Sequence, residues 1–401
     1  MYVSDTAFFT MRRYYFKESL PMKVVLYANT DWFMHNFNLP LAAKLRDQGC
    51  DVILLTPPGS YSKNLIRLGY RWVGVPMCRR SLNPFREFTL VLWLARFFKK
   101  ERIDLVHAFT LKCTIYASLA AIMSGVPSRI NALTGMGYVF TSGDLKARLL
   151  RPFVRNLMKL AFRGCGVRLV VLNNEDLIFA HRFRLIDPSF VRYVPGAGID
   201  CNRFSPPLSG SKHPKFRVLL PARLLWDKGI AEYVDAARLL KTEERDIDFL
   251  IAGLPDAGNP ASVPETLINT WVKEGIIQWL GHVEDMPELY RSVTVVVLPS
   301  YREGLPTCLT EAAASALALV TTNVPGCREV VTHEVDGLLV PAGDYRALAA
   351  AIARLQDNPD LCLCFGQRAR KKALSTFATC IITESTLAIY SELTSRVAAG
   401  D

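Results

Sequence analysis

Short runs of valine, leucine and isoleucine, apolar at nearly every residue instead of every second one, recur along this chain with helix-like segments between them. A strand that is apolar on both faces belongs inside a parallel sheet, and parallel neighbours can be joined only by a crossover, usually a helix. The pattern therefore predicts an α/β fold. Residues 23–28 read as a first strand, 40–48 as a helix stopped by Gly49, 52–56 as a second strand, 105–107 as the end of another, 114–123 as a helix and 169–172 as a strand again. A run of turn-formers over 206–214 interrupts the alternation, which restarts with strands at 216–220, 249–252, 277–280 and 295–298. At 401 residues the chain exceeds what one hydrophobic core serves. Two Rossmann-like domains are expected, over 22–199 and 216–378, with a linker at 200–215. A poorly ordered leader is expected at 1–21, and a closing segment at 379–401 that is helical from 381 to 397.

The corner after the strand at 295–298 carries the most chemistry. Glu303 and Glu311 flank the turn Gly304-Leu305-Pro306, and a helix is expected over 311–319. Pro306 suits a first helical position, which leaves the amides of Thr307, Cys308 and Leu309 free to face an anion. Ionised carboxylates accept hydrogen bonds and donate none, so Glu303 and Glu311 could hold hydroxyls on either side of a bound phosphate. A phosphate between two hydroxyl-bearing groups describes a nucleotide sugar. Glu311 could equally do no more than complement the helix dipole.

This segment has companions. Together with Pro195-Gly196-Ala197-Gly198-Ile199-Asp200, Ala222-Arg223-Leu224-Leu225-Trp226-Asp227-Lys228-Gly229, Pro325-Gly326-Cys327-Arg328-Glu329 and Asp336-Gly337-Leu338, it resembles the retaining nucleotide-sugar glycosyltransferases of family 4. The resemblance runs from about Met22 to the C-terminus and is specific over 195–345. It implies a GT-B architecture, two Rossmann-like domains facing each other across a cleft, with the final helix packed back on the first. It implies hexosyl transfer without a cofactor and without a metal, and no Asp-x-Asp stands at a strand end. Charge left on the departing β-phosphate is best stabilised by fixed cations and amides, and the matching positions are Arg223 and Lys228. By the same resemblance Glu311 holds the ribose hydroxyls and Glu303 approaches the transferred sugar. Gly304, Leu305, Pro306 and Thr307 line the donor, and Val283 touches the base through its backbone. His107 faces the cleft from the first domain.

Arg80-Ser81-Leu82-Asn83-Pro84, His107-Ala108-Phe109-Thr110-Leu111-Lys112 and Gly135-Met136-Gly137-Tyr138 are similar to signatures of the subset that builds bacterial capsule, lipopolysaccharide and lipid-linked oligosaccharides. That subset places Lys112 and Arg80 beside a pyrophosphoryl-lipid acceptor. The implied reaction moves a sugar from a nucleotide diphosphate, with a UDP-sugar favoured and a UDP-N-acetylhexosamine among the candidates, to a polyprenyl-diphosphate-linked glycan. Two alternatives stand beside it: a nucleotide-sugar 2-epimerase of the same fold, and a non-catalytic basic membrane-binding module. One departure from the family lies in the first loop, Asn29 to His35, which is bulky where a glycine pair is usual.

Residues 1–200 hold 28 Lys plus Arg against 13 Asp plus Glu, so the whole of the +11 net charge comes from the first half. Arg148, Arg151, Arg155 and Lys159 recur among leucines and phenylalanines, as in a basic amphipathic helix that docks on anionic lipid. Peripheral attachment to the inner, cytoplasmic face of the cell membrane is expected, with no membrane span. Nucleic acid is not expected as a partner, because no zinc-ligand spacing or aromatic platform accompanies the charge. The ten cysteines lack metal-ligand spacing and read as thiols of a reducing compartment.

Overall fold

The computed structural model describes residues 22–78, 81, 83–135, 137–141, 145–206, 215–256 and 258–399. The expected leader, the turn-formers of the linker from Pro207 to Pro214, and Arg80 lie outside the described residues. Seven strands form a first sheet: β1 (Lys23–Tyr27), β2 (Asp51–Thr56), β3 (Arg71–Gly74), β4 (Leu105–Phe109), β5 (Ser128–Leu133), β6 (Val167–Val171) and β7 (Val191–Tyr193), in the order β3-β2-β1-β4-β5-β6-β7. Six form a second: β8 (Phe216–Pro221), β9 (Ile247–Ala252), β10 (Gln278–Trp279), β11 (Val295–Leu298), β12 (Ala318–Thr322) and β13 (Leu338–Val340), in the order β10-β9-β8-β11-β12-β13. Every described pairing in both sheets is parallel. Each is a doubly wound sheet with separate apolar cores on its two faces.

Each sheet reverses its strand order once, between β1 and β4 and between β8 and β11. Ligands of such sheets bind beyond the carboxyl ends of the strands at these reversals. β4 carries His107, paired with Leu26 of β1; the loops after β8 and β11 carry Arg223, Lys228 and Glu303. The connectivity alone therefore gathers the expected residues.

Six helices matter below: α1 (Pro84–Glu101), α2 (Leu111–Ser124), α3 (Leu145–Ala161), α4 (Asn174–Arg182), α5 (Thr307–Ala314) and α6 (Thr379–Ala399). Asn83 caps α1 by accepting from the amide of Phe85 at 3.0 Å, and Pro84 stands where no amide is needed. The helix expected over 311–319 is displaced. α5 starts at Thr307, with Pro306 in extended conformation as its cap, and ends at Ala314; Ala316 has φ 58°, and the chain then enters β12. An apolar run of this length suits a helix and a buried strand equally, and the left-handed residue decides where one gives way to the other. The strand expected over 277–280 reduces to Gln278–Trp279.

The chain passes between the domains twice, and the two passages lie side by side. The amide of Ile199 donates to Phe377 O at 2.8 Å, and that of Thr379 returns to Ile199 O at 3.0 Å. Gly198 sits at φ 89°, and a Cβ there would stand 2.7 Å from Thr379 Cα, so only glycine permits the approach. After the second passage α6 lies on the first domain. Its Tyr390 is buried against His107, and its Glu392 accepts from Arg168 Nε at 2.9 Å and from Arg192 at 2.6 Å.

Arg168 is only 2% exposed. Removing its carboxylate partner leaves a buried cation short of acceptors. Glu392→Ala is therefore expected to cost about 2 kcal/mol, the range for a hydrogen bond to a charged group. In a chain of this size that lowers Tm by several degrees, ~2–4 °C per kcal/mol. Thermal unfolding checks it, and an unchanged Tm would show that α6 is not anchored through this pair.

Candidate active site

Lys228 ends a short 3₁₀ turn after β8, and Glu303 lies in the loop after β11, on the neighbouring strand. The two meet: Lys228 Nζ is 2.5 Å from Glu303 Oε1, and Ser300 Oγ donates to the same oxygen at 2.7 Å. Both charged side chains are largely buried, which strengthens their attraction and makes either one costly without the other. Arg223 is different. Its guanidinium is more than half exposed and donates to Asp256 Oδ2 at 3.0 Å. It is available to an incoming anion at modest cost, since exposed pairs are worth little.

At the start of α5 the amide of Leu309 donates to Pro306 O at 3.1 Å. The anion-facing amides therefore narrow from the expected three to Thr307 and Cys308. One turn further, Glu311 Oε2 accepts from the hydroxyl of the fully buried Tyr290 at 3.0 Å. Burial pushes the Glu311 carboxyl up to about 7, against the downward pulls of the Tyr290 hydrogen bond and Arg203. Val283 packs half-buried against the core beneath this helix.

His107 is buried, and burial lowers its imidazole to about 3, so the ring is neutral. Its Nδ1 is 3.0 Å from Tyr390 Oη, and its ring lies 4.2 Å from that of Phe109. Nε2 is buried and has no partner among the described residues. His107 lines a cavity of about 180 Å³ between the domains, together with Phe33, Phe109, Thr134, Leu305 and Thr307. Of the residues expected at the donor, His107 from the first domain and Leu305 and Thr307 from the second border this cavity, whereas Glu303, Gly304 and Pro306 are not part of its lining. Lys112, expected beside the acceptor, is held instead by Glu87 Oε1 at 2.9 Å and by the carbonyls of Cys78 at 2.9 Å and Ser81 at 3.0 Å. It pins the segment before α1 onto α2.

The basic helix is also arranged differently from the expected solvent-facing stripe of charge. Arg151 Nε donates to Val139 O at 2.8 Å, and the Arg155 guanidinium sits 5.1 Å above the ring of Phe183. Lys159 is half-buried and Arg148 is exposed. Long cationic side chains lay their stems on apolar surface, and here two of them fold back onto the domain. What faces outward is Leu145, Leu149, Phe153 and Leu160.

On the first domain's side, the contacts across the cleft come from residues that carried no motif. Asn173 Nδ2 donates to Gly304 O at 2.8 Å, and the Asn174 amide to Glu329 Oε1 at 3.0 Å. Glu175 pairs with Arg328, and Asp176 faces Arg302 at 3.9 Å. Tyr193 donates to Glu329 Oε2 at 2.9 Å. The sequence signal was an Asn followed three residues later by Asp, a helix-start pattern that says nothing of a second domain.

Comparison with known proteins agrees with this geometry. Residues 23–174 match the family model described as glycosyl transferase 4-like, and 215–358 match that of the glycosyl transferases group 1. Between them the two models cover most of the chain, which belongs to the group 1, family 4-type glycosyltransferases of GT-B fold. The N,N'-diacetylbacillosaminyl-diphospho-undecaprenol alpha-1,3-N-acetylgalactosaminyltransferase of Campylobacter jejuni is 26% identical over 94% of this chain and 100% of its own. The UDP-Gal:alpha-D-GlcNAc-diphosphoundecaprenol alpha-1,3-galactosyltransferase of Escherichia coli is 27% identical over 76% and 79%. Among solved structures, a glycosyltransferase from Rickettsia africae superposes with a TM-score of 0.74 at 19% identity, covering 93% of this chain and 99% of its own. HepE of Anabaena, in complex with UDP, does so with 0.73 at 16%, covering 92% and 100%. Their likeness shows the fold. No helix among the described residues is long and apolar enough to cross a membrane.

The raised Glu311 carboxyl has a measurable consequence. Between its ordinary value of 4.5 and about 7 the folded protein keeps a proton that the unfolded chain has released, so folding stability falls as pH rises through this window and the full cost is present above it. Glu311→Gln, which still accepts from Tyr290, is expected to raise Tm relative to wild type at pH 8, and the gain should shrink toward pH 5. A variant less stable at both pH values would show that the carboxylate is well accommodated.

Proposed function

We propose that the chain is a retaining, metal-independent transferase that moves a hexosyl or N-acetylhexosaminyl group from a UDP-sugar to a polyprenyl-diphosphate-linked glycan at the inner face of the cell membrane. The observation that carries this reading is the contact of Lys228 with Glu303 at the strand reversal beyond which α5, with its two amides and Glu311, begins. Arg223 and Lys228 take the diphosphate with the amides of Thr307 and Cys308. Glu311 takes the ribose hydroxyls, and Val283 borders the base. Glu303, with Gly304, Leu305 and Pro306, borders the transferred sugar, and His107 Nε2 meets it from the other domain as a neutral hydrogen-bonding group.

In the step itself the anomeric C–O bond breaks and its electron pair passes to the β-phosphate oxygen. The acceptor hydroxyl oxygen forms the new bond on the same face and releases its proton to that phosphate oxygen. Fixed cations and amides around the leaving group supply the main stabilisation. The acceptor class is supported by the C. jejuni and E. coli relatives, both named as acting on undecaprenyl-diphosphate-linked sugars. UDP is supported by the E. coli name and by the HepE complex.

The test is incubation with UDP-galactose or UDP-N-acetylgalactosamine and N-acetylglucosaminyl-diphospho-undecaprenol, with a donor-only control. Transfer to the lipid is expected; conversion of donor alone into its 2-epimer would establish the epimerase instead. In the same assay Arg223→Ala or Lys228→Ala should lower turnover ~10²-fold or more, and wild-type rates in both would refute their role. Affinity for the UDP-sugar, whose diphosphate diester stays fully charged, should fall as pH drops below about 7, where Glu311 takes up its proton. Calorimetry checks this, and Glu311→Gln should abolish the dependence.

For attachment, the exposed Leu149 and Phe153 of α3 insert among lipid chains while Arg148 stays with the headgroups. Leu149→Glu with Phe153→Glu is expected to abolish sedimentation with anionic phospholipid vesicles while leaving UDP affinity as in wild type. Undiminished sedimentation would rule out α3 as the docking element.

A further inference from the structure

Four consecutive residues at the start of α4 each engage a different residue of the other domain. Asn173 reaches the Gly304 carbonyl, the Asn174 amide reaches Glu329, Glu175 pairs with Arg328, and Asp176 faces Arg302. Two of these targets, Arg302 and Gly304, bracket Glu303. The other two, Arg328 and Glu329, belong to the turn that backs the same loop: a Cβ on Gly326 would stand 2.7 Å from Glu303 O and 2.6 Å from Gly304 O. From the first domain, Thr134 O closes on the opposite side, 2.9 Å from where a Gly304 Cβ would be. The Glu303-Gly304 backbone is thus held between a turn of its own domain and a helix start of the other.

Asn173 does more than cap a helix. Its Oδ1 accepts from the Asp176 amide at 2.8 Å, which completes the cap, while Nδ2 is shared between Asp176 Oδ2 at 3.1 Å and Gly304 O at 2.8 Å. Asn173 and Asp176 are 1% and 3% exposed, so the amide is held in place where its bond to Gly304 is partly buried. A cap needs only an oxygen, and serine or aspartate supplies one. The second donor, aimed at the other domain, is what asparagine adds.

We propose that Asn173 is a positioning residue for glycosyl transfer: its amide seats the Glu303-Gly304 loop when the domains are closed, so that Glu303 is in register with the sugar only in that state. The proposal rests on the placement of Glu303 at the transferred sugar argued above. It predicts a division between affinity and rate. The nucleotide is held by the second domain and should bind regardless, whereas a misplaced Glu303 should slow the chemical step.

Asn173→Ser separates the two roles, because serine keeps the cap oxygen and its shorter side chain removes the amide that reaches Gly304. The variant is expected to stay folded, with Tm lowered by no more than a few degrees for the two hydrogen bonds lost, and to keep UDP affinity within about twofold, by calorimetry. Its turnover with the UDP-sugars and lipid acceptor used above should fall ~10- to 100-fold with KM for the UDP-sugar little changed, since a displacement of about 1 Å at a reacting group can cost ~10² in rate. Release of UDP from the same donors by water should fall in parallel, which removes any dependence on the acceptor. Arg302→Leu, which leaves Asn173 and the cap untouched, should shift turnover in the same direction by less. Wild-type turnover in Asn173→Ser overturns the proposal, and so does a rate loss matched by an equal loss of UDP affinity or by a fall in Tm beyond those few degrees. Arg223→Ala run alongside keeps the readings apart: its loss of activity beside an active Asn173→Ser leaves the transferase site standing and removes only the positioning role.

Discussion

The contact between Lys228 and Glu303 organises the second domain's half of the cleft. A lysine and a glutamate on loops after adjacent strands, both largely buried and 2.5 Å apart, cannot be separated without exposing an uncompensated charge. The pair therefore keeps the two loops together, with Ser300 as a further donor to the carboxylate. Under the proposed assignment, a diphosphate entering beside Lys228 offers it a stronger partner and so frees a lone pair on Glu303 Oε1 for a sugar hydroxyl, while Ser300 keeps its own bond to that oxygen.

The fold places that pair without help from the first domain, since the strand reversal between β8 and β11 is enough. The first domain contributes shape. It supplies a neutral imidazole whose Nε2 has no partner among the described residues, an apolar wall of Phe33 and Phe109, and the start of α4 pressed on the Glu303 loop. The passages at Ile199 and Thr379, paired to each other beside Gly198, keep the two halves in register at one edge. α6 then returns to bury Tyr390 beside His107 and to neutralise Arg168 through Glu392. A histidine so enclosed is held neutral by burial, which limits any role it has in the cleft to hydrogen bonding.

Much of this was legible in the chain. Runs such as Val295 to Leu298 declare buried parallel strands because their pattern matches no other sheet, and loops at strand ends follow from the connectivity. Glu303 and Glu311 stood out as two acceptors flanking a turn, whereas Arg223 and Lys228 were singled out only by the family resemblance. Other features were not. The end of α5 depended on Ala316 adopting a left-handed conformation within an apolar run that favours helix and strand alike. The fate of the basic face depended on the carbonyl of Val139 and the ring of Phe183, which lie on other elements and draw Arg151 and Arg155 inward. Lys112 read as a cleft cation, yet Glu87 and two carbonyls claim it. Asn173 gave only a helix-start signal, because a bond between domains leaves no local periodicity.

The exchange of partners at Lys228 is the centre of this account, and the UDP affinity of Glu303→Gln tests it most directly. Neutralising Glu303 releases Lys228 without removing any group assigned to the nucleotide. Calorimetry should therefore find UDP bound several-fold more tightly than by wild type, with a steeper loss of affinity on adding salt, even as sugar transfer declines. UDP bound more weakly by Glu303→Gln than by wild type would contradict the account, because it would make Glu303 a support of the nucleotide site instead of a competitor for its cation.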